Sequence, residues 1–159
     1  MTRCLAALIL LLAVHPLFAE PAVFLARHAE KAQSGDPKDP DLSEAGRARA
    51  TALATFLKDA GITAVYASEF KRTQETAEPL ARALGLTTVI VPGKDTQALA
   101  ARLKQAQGNA LVVGHSDTVP EILKALGVAA PPSIADADYD NLFVLILSQP
   151  VQLLRLHYP

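Results

Sequence analysis

The sequence predicts an α/β protein: a three-layer α/β/α sandwich on a mostly parallel sheet. Three observations predict it. Short apolar runs rich in β-branched residues alternate with segments whose apolar residues recur at helical spacing. Gly and Pro punctuate the boundaries, and neither a repeat nor a long linker divides the chain. The length of 159 residues, half of them apolar and 19% charged, suits one domain with a real core.

The first nineteen residues stand apart. Met1-Thr2-Arg3 is a basic start, Cys4 to Val14 is an apolar run, His15-Pro16 breaks it, and Leu17-Phe18-Ala19 ends small. That order predicts a signal peptide over 1–19 and a folded domain over 20–159, periplasmic or secreted. The run is shorter than the roughly 20 residues a membrane span needs, so membrane contact is expected only if the segment stays uncleaved. Cleavage removes Arg3 and the single cysteine, Cys4, and shifts the formal net charge from −1 to −2. A disulfide framework, a thiolate zinc site and a cysteine nucleophile are thereby excluded from the mature chain. The balanced charge argues against a nucleic-acid partner.

Ala22 to Ala26 reads as a buried first strand, and the polar residues 32–41 as a loop. Ser43 is a helix N-cap; Ala45, Ala48, Ala52, Leu53, Phe56, Leu57 and Ala60 form one face, and Gly61 stops the helix. Thr63 to Ala67 is a second strand. A helix from Lys71 to Leu84 ends at Gly85, with Pro79 expected to kink or break it. Leu86 to Val91 is a β-branched third strand, and 96–106 a helix burying Leu99 and Leu103. Ala110 to Val113 is a fourth strand. Thr118 and Glu121 fit a capping box for a helix running to Gly127. Residues 128–140 form a loop, and Asn141 to Leu147 and Val151 to His157 are two terminal strands.

In such sheets ligands bind at the carboxyl ends of the strands. Arg27-His28-Ala29-Glu30-Lys31 follows the first strand, Ser68 and then Arg72 follow the second, and Gly114-His115-Ser116-Asp117 follows the fourth. Two arginines and two of the mature chain's three histidines therefore meet on one rim. A lone histidine there is ordinarily a structural hydrogen-bonder, but four such residues at three strand ends point to phosphate chemistry. Arginine forks match phosphate oxygens. A neutral imidazole can attack phosphorus, and a protonated one can stabilise the charge of the transferring group. A serine hydrolase using Ser68 or Ser116 with His115 would lack the usual nucleophile elbow.

Phe24-Leu25-Ala26-Arg27-His28-Ala29 resembles the Arg-His-Gly signature of the histidine phosphatase (phosphoglycerate mutase-like) superfamily. Asp41-Leu42-Ser43-Glu44-Ala45-Gly46 is similar to its Leu-Ser/Thr-x-x-Gly helix start. The stretch from Ser68 to Ala77 resembles its Ser-x-x-x-Arg-x-x-Gln-Thr-Ala segment, with Glu75 inserted, and Val113-Gly114-His115 its late Gly-His motif. The resemblance runs from about residue 22 to 127, and it implies a phosphoglycerate mutase-like fold of the small bacterial type. It implies His28 as nucleophile, Arg27 and Arg72 as phosphoryl clamps, and His115 as transition-state partner. No metal or cofactor is implied. Glu30 and Asp117 are expected beside the substrate, a phosphorylated small molecule or phosphoprotein. The general acid is Asp95, Asp117 or none, since a substrate with a good leaving group needs one least. Ala29 replaces the usual Gly, a costly change if that position needs positive φ. The insertion after strand three is nearly absent. The expected activity is that of an exported, metal-independent phosphatase working through phosphohistidine. A non-catalytic phosphate-ester-binding module is the alternative.

Overall fold

The computed structural model describes residues 20–159; the signal peptide expected over 1–19 lies outside them. Six strands and four helices alternate as expected: β1 (Ala22–Arg27), α1 (Glu44–Leu57), β2 (Ile62–Ala67), α2 (Lys71–Leu84), β3 (Thr88–Ile90), α3 (Thr96–Lys104), β4 (Asn109–Gly114), α4 (Thr118–Ala125), β5 (Asn141–Ile146) and β6 (Gln152–His157). The sheet order is β3-β2-β4-β1-β5-β6. The pairs β2·β3, β2·β4 and β1·β4 are parallel, while β5 runs antiparallel to both β1 and β6. The mostly parallel expectation holds, with an antiparallel extension on one side.

Alternation along each strand divides the core into two layers. Ala22 and Ala26 of β1 face Leu53 and Leu57 of α1 and Leu80 of α2. Val23 and Leu25 face Leu99 and Leu103 of α3 and Ile122 and Leu123 of α4. Leu25, Leu53, Leu103 and Leu123 are completely buried, each stabilising the fold by about 1.5–3 kcal/mol relative to exposure. Strands β1 and β4 are covered on both faces, which is why they read as continuous apolar runs.

Several boundaries differ from the sequence expectation. α1 ends at Leu57, short of Gly61. α2 passes through Pro79 without a break and ends at Gly85 in the left-handed conformation. β3 is only three residues long, because it pairs on one side alone and Val89 and Ile90 are largely exposed. The cap of α4 is Asp117 rather than Thr118: the Asp117 carboxylate accepts the Thr118 N–H at 2.8 Å.

Candidate active site

Four side chains converge where β1, β2 and β4 end. Arg27, His28, Arg72 and His115 line one open cavity of about 620 Å³. A groove of about 640 Å³ between α1 and α2, lined by Asp41, Arg47, Glu75, Glu78 and Arg82 among others, contains none of them.

His28 is placed by the backbone before and after it. Its N–H donates to Gly114 O at 2.9 Å, and Ala29 N donates to Thr76 Oγ1 at 3.0 Å. The φ of Ala29 is not positive, so alanine sits there without strain. The His28 ring is buried, and its Nδ1 lies 2.8 Å from Ala29 O. A carbonyl only accepts, so Nδ1 carries the proton and Nε2 keeps its lone pair. Burial pulls the His28 pKa down to about 3, with His115, Arg27 and Arg72 adding to the effect against the Ala29 hydrogen bond. The ring is thus neutral at physiological pH.

His115 stands edge-on to His28, ring centroids 5.3 Å apart, and edge-on to Phe70 at the same distance. Burial first, then the Arg72 guanidinium, push its pKa below the ordinary histidine value; Asp117 and Glu69 oppose them. The residue before it has to be small. A Cβ on Gly114 would lie 2.8 Å from Thr118 Oγ1, and that hydroxyl accepts the His115 N–H at 2.9 Å. Thr118, expected to cap the helix, instead holds the histidine.

Arg27 is almost fully buried. Its Nη1 donates to Ala135 O at 2.9 Å, its guanidinium lies 4.4 Å from the Tyr139 ring centre, and Nη2 is 3.8 Å from Asp136. Its Nε is buried without a protein partner. Arg72 sits over Phe70 at 4.4 Å, with Asp39 3.8 Å away. Two cationic forks therefore flank the two imidazoles.

Among the expected substrate neighbours, Asp117 lines the cavity while capping α4. Glu30 does not line it. Its carboxylate is held by Arg49, with Nε at 2.9 and 3.0 Å and Nη2 at 2.8 Å, and this pairing keeps it below the usual carboxylate range despite burial. Asp95 also lies off the cavity, beside a smaller hollow lined by Leu99 and Arg102. Ser68 to Ala77 has the same ten positions as the segment it resembles, so Glu75 is a replacement at the Gln position rather than the expected insertion; it accepts the Leu42 N–H at 2.7 Å and ties the 32–42 segment to α2. Sequence reasoning missed Glu69, Tyr139 and Asp136. Glu69 lines the cavity and accepts the Gly93 N–H at 2.8 Å, which holds the short β3–α3 turn in place. Tyr139 and Asp136 come from the loop after α4, where no periodic pattern marks them. Among the described residues, no three His, Cys, Asp or Glu side chains form a metal-binding group.

A buried neutral imidazole flanked by two arginines at the rim of a three-layer α/β sandwich is an arrangement that can hold a phosphoryl group. The family model described as histidine phosphatase superfamily (branch 1) matches residues 23–95. Over those residues the chain is similar to the histidine phosphatase superfamily. The Cronobacter sakazakii protein named "Probable phosphoglycerate mutase GpmB" is 31% identical over 104 residues, which is 62% of this chain and 44% of that protein. The chain thus spans less than half the length of that curated relative. The solved protein histidine phosphatase SixA, complexed with tungstate, shares the fold with TM-score 0.72 at 20% identity, over 86% of this chain and 96% of that one. A mycobacterial glucosyl-3-phosphoglycerate phosphatase shares it with TM-score 0.64 at 15% identity, over 79% and 89% of the two chains.

Proposed function

We propose that this protein is an exported, metal-independent phosphatase that hydrolyses a phosphomonoester or a phosphorylated protein side chain through a phosphohistidine. The observation that carries the reading is the convergence of Arg27, His28, Arg72 and His115 on one cavity. The basic, apolar and small segments of residues 1–19 support export to the periplasm or medium.

His28 Nε2 attacks phosphorus, an N–P bond forms, and the bond from phosphorus to the leaving group breaks. The neutral ring needs no base for this step, because its lone pair is already free. Arg27 and Arg72 bind the non-bridging oxygens, and His115 in its protonated form adds a donor where negative charge accumulates. The four cationic or cation-forming groups supply positive charge without a metal. The Ala29 carbonyl accepts a hydrogen bond from the Nδ1–H and so stabilises the charge that develops on the phosphorylated His28 ring. Water then attacks phosphorus, the N–P bond breaks and the lone pair returns to Nε2; the water proton goes to the group that protonated the first leaving group, Asp117 or solvent, and phosphate leaves.

The departing group takes a proton from Asp117 or from solvent in the open cavity. Substrates whose leaving groups need little help suit such a site: aryl phosphates, phosphoanhydrides and phosphoramidates such as phosphohistidine. The name of the SixA neighbour supports the last of these.

The purified full chain is expected to hydrolyse p-nitrophenyl phosphate in the presence of EDTA. His28→Ala should abolish turnover while leaving the circular dichroism spectrum unchanged. Acid quench after a short pulse of labelled phosphoramidate should trap label on His28. Phosphate binding without turnover of any ester would establish the binding-module alternative instead. In a bacterial host, N-terminal sequencing of exported protein should begin at Glu20; an unprocessed cytoplasmic chain would refute export.

A further inference from the structure

His115 is connected to a chain of buried hydroxyl groups that the proposed reaction leaves without a task. Its Nε2 lies 2.9 Å from Ser68 Oγ, and Ser68 Oγ lies 2.9 Å from Thr73 Oγ1. Thr73 Oγ1 lies 2.7 Å from Phe70 O and 3.2 Å from Ser68 O. Thr73 has no exposure at all, and Ser68 is nearly as buried.

Each hydroxyl has one proton to give. The two carbonyls near Thr73 only accept, so the Thr73 proton points at them. Thr73 Oγ1 must then accept from Ser68 Oγ. That uses the single Ser68 proton, so Ser68 Oγ can only accept from His115 Nε2. The reverse order would set the Thr73 oxygen against the Phe70 carbonyl at 2.7 Å with no proton between them, in a place no water reaches. An acceptor-to-acceptor contact of that kind is strongly unfavourable when buried.

We infer that Thr73, acting through Ser68, is a positioning residue that keeps a proton on Nε2 of His115 and makes Nδ1 the nitrogen that titrates. The proton count stands on the hydrogen bonds alone; its catalytic meaning rests on the phosphatase reading above. Because the chain ends on a carbonyl, it accepts from Nε2 in both the neutral and the cationic ring. It therefore favours the imidazolium and excludes the Nδ1–H neutral tautomer. This opposes burial and the Arg72 guanidinium, which drive His115 toward the neutral form. The other charged or titratable groups around the ring and its cavity are Arg27 at the end of β1, His28 and Lys31 after it, Glu69 before α2, Lys94 before α3, Asp117 and Glu121 at the start of α4, and Asp136. A phosphoryl dianion entering among them favours the Nδ1-protonated cation.

The test uses Thr73→Val, which keeps the shape and removes the acceptor. The Ser68 proton is then free to turn toward Nε2. Long-range proton–nitrogen spectra of the full chain, labelled at histidine and assigned with His115→Gln, read the tautomer directly. Wild type should show the Nε2–H pattern for neutral His115, and Thr73→Val should gain the Nδ1–H pattern. With p-nitrophenyl phosphate, Thr73→Val should lower kcat/KM about tenfold, as expected for a lost hydrogen bond to a charged group. The alkaline limb of its pH profile should also move to lower pH, and Thr73→Ser should restore both. Should Thr73→Val fold poorly, Ser68→Ala is expected to move the same limb in the same direction. An Nδ1–H pattern in wild type would overturn the inference. So would a loss of activity in Thr73→Val with tautomer and pH profile unmoved, which marks a packing role. If the wild-type chain turns over no ester, the phosphatase reading fails, while the spectra still decide the proton count.

Discussion

The change Gly46→Ala tests the link between the first helix and the catalytic loop. Gly46 lies in the first turn of α1 and packs on the backbone of Glu30, two residues after His28. A Cβ built there would stand 2.1 Å from Glu30 O and 3.0 Å from Glu30 C. The same carbonyl accepts the Ser43 N–H at 2.9 Å, so the helix start and the loop are joined at one oxygen. Backbone cannot swing aside as a flexible side chain can. Helix propensity alone would favour alanine by about 1 kcal/mol. Forced overpacking costs about 1–3 kcal/mol, and loss of the Ser43 to Glu30 hydrogen bond about 1 kcal/mol more. The net expectation is destabilisation by about 1–3 kcal/mol. Moving Glu30 also displaces its neighbour Ala29, whose carbonyl holds His28 Nδ1, so kcat/KM should fall beyond what unfolding explains. Urea unfolding followed by far-ultraviolet circular dichroism, with phosphatase assays on the folded fraction, measures both. A variant as stable as wild type would mean that the close approach does not constrain this loop.

The depressed pKa of His28 gives a pH dependence of known sign. The folded ring titrates near 3 and the unfolded one near the ordinary 6.5. Between these values the unfolded chain binds more protons, so stability rises with pH and is lost as pH falls. Between pH 7 and pH 4.5 wild type should lose about 2–3 kcal/mol more than His28→Gln; parallel urea curves at both pH values would refute this. Glu30→Gln weakens the pairing with Arg49 and should cost at most about 1 kcal/mol at this half-buried site, leaving KM for an aryl phosphate unchanged. A several-fold rise in KM would return Glu30 to the substrate.

The strands that carry the site were legible because both their faces are covered. Ala22 to Ala26 and Ala110 to Val113 are unbroken apolar runs, and the residues just beyond them had to fall on the rim. Strand β3 is shorter than the sequence predicts, since Thr87 to Val91 is β-branched throughout but only Thr88, Val89 and Ile90 find a partner. A sequence records neither how far an edge strand pairs nor which way a carboxylate turns. Glu30 could equally have faced the cavity; Arg49, nineteen residues on, decides the matter. The anchor of Arg27 was invisible for a related reason. Ala135, Asp136 and Tyr139 lie in a segment without periodicity, and only the folded chain brings them to β1.

That anchor has a consequence for how the molecule is made. Strand β1 leads the folded domain, yet it pairs with β4 and β5, and Arg27 donates to a carbonyl 108 residues downstream. Such high contact order slows folding. The growing polypeptide has no strand partner for β1 until β4 and β5 have been made, so the leading strand stays unpaired through most of synthesis. The pocket is completed last, by residues made at the end, and a chain that stops before residue 135 would carry both histidines and neither a finished sheet nor a fixed Arg27.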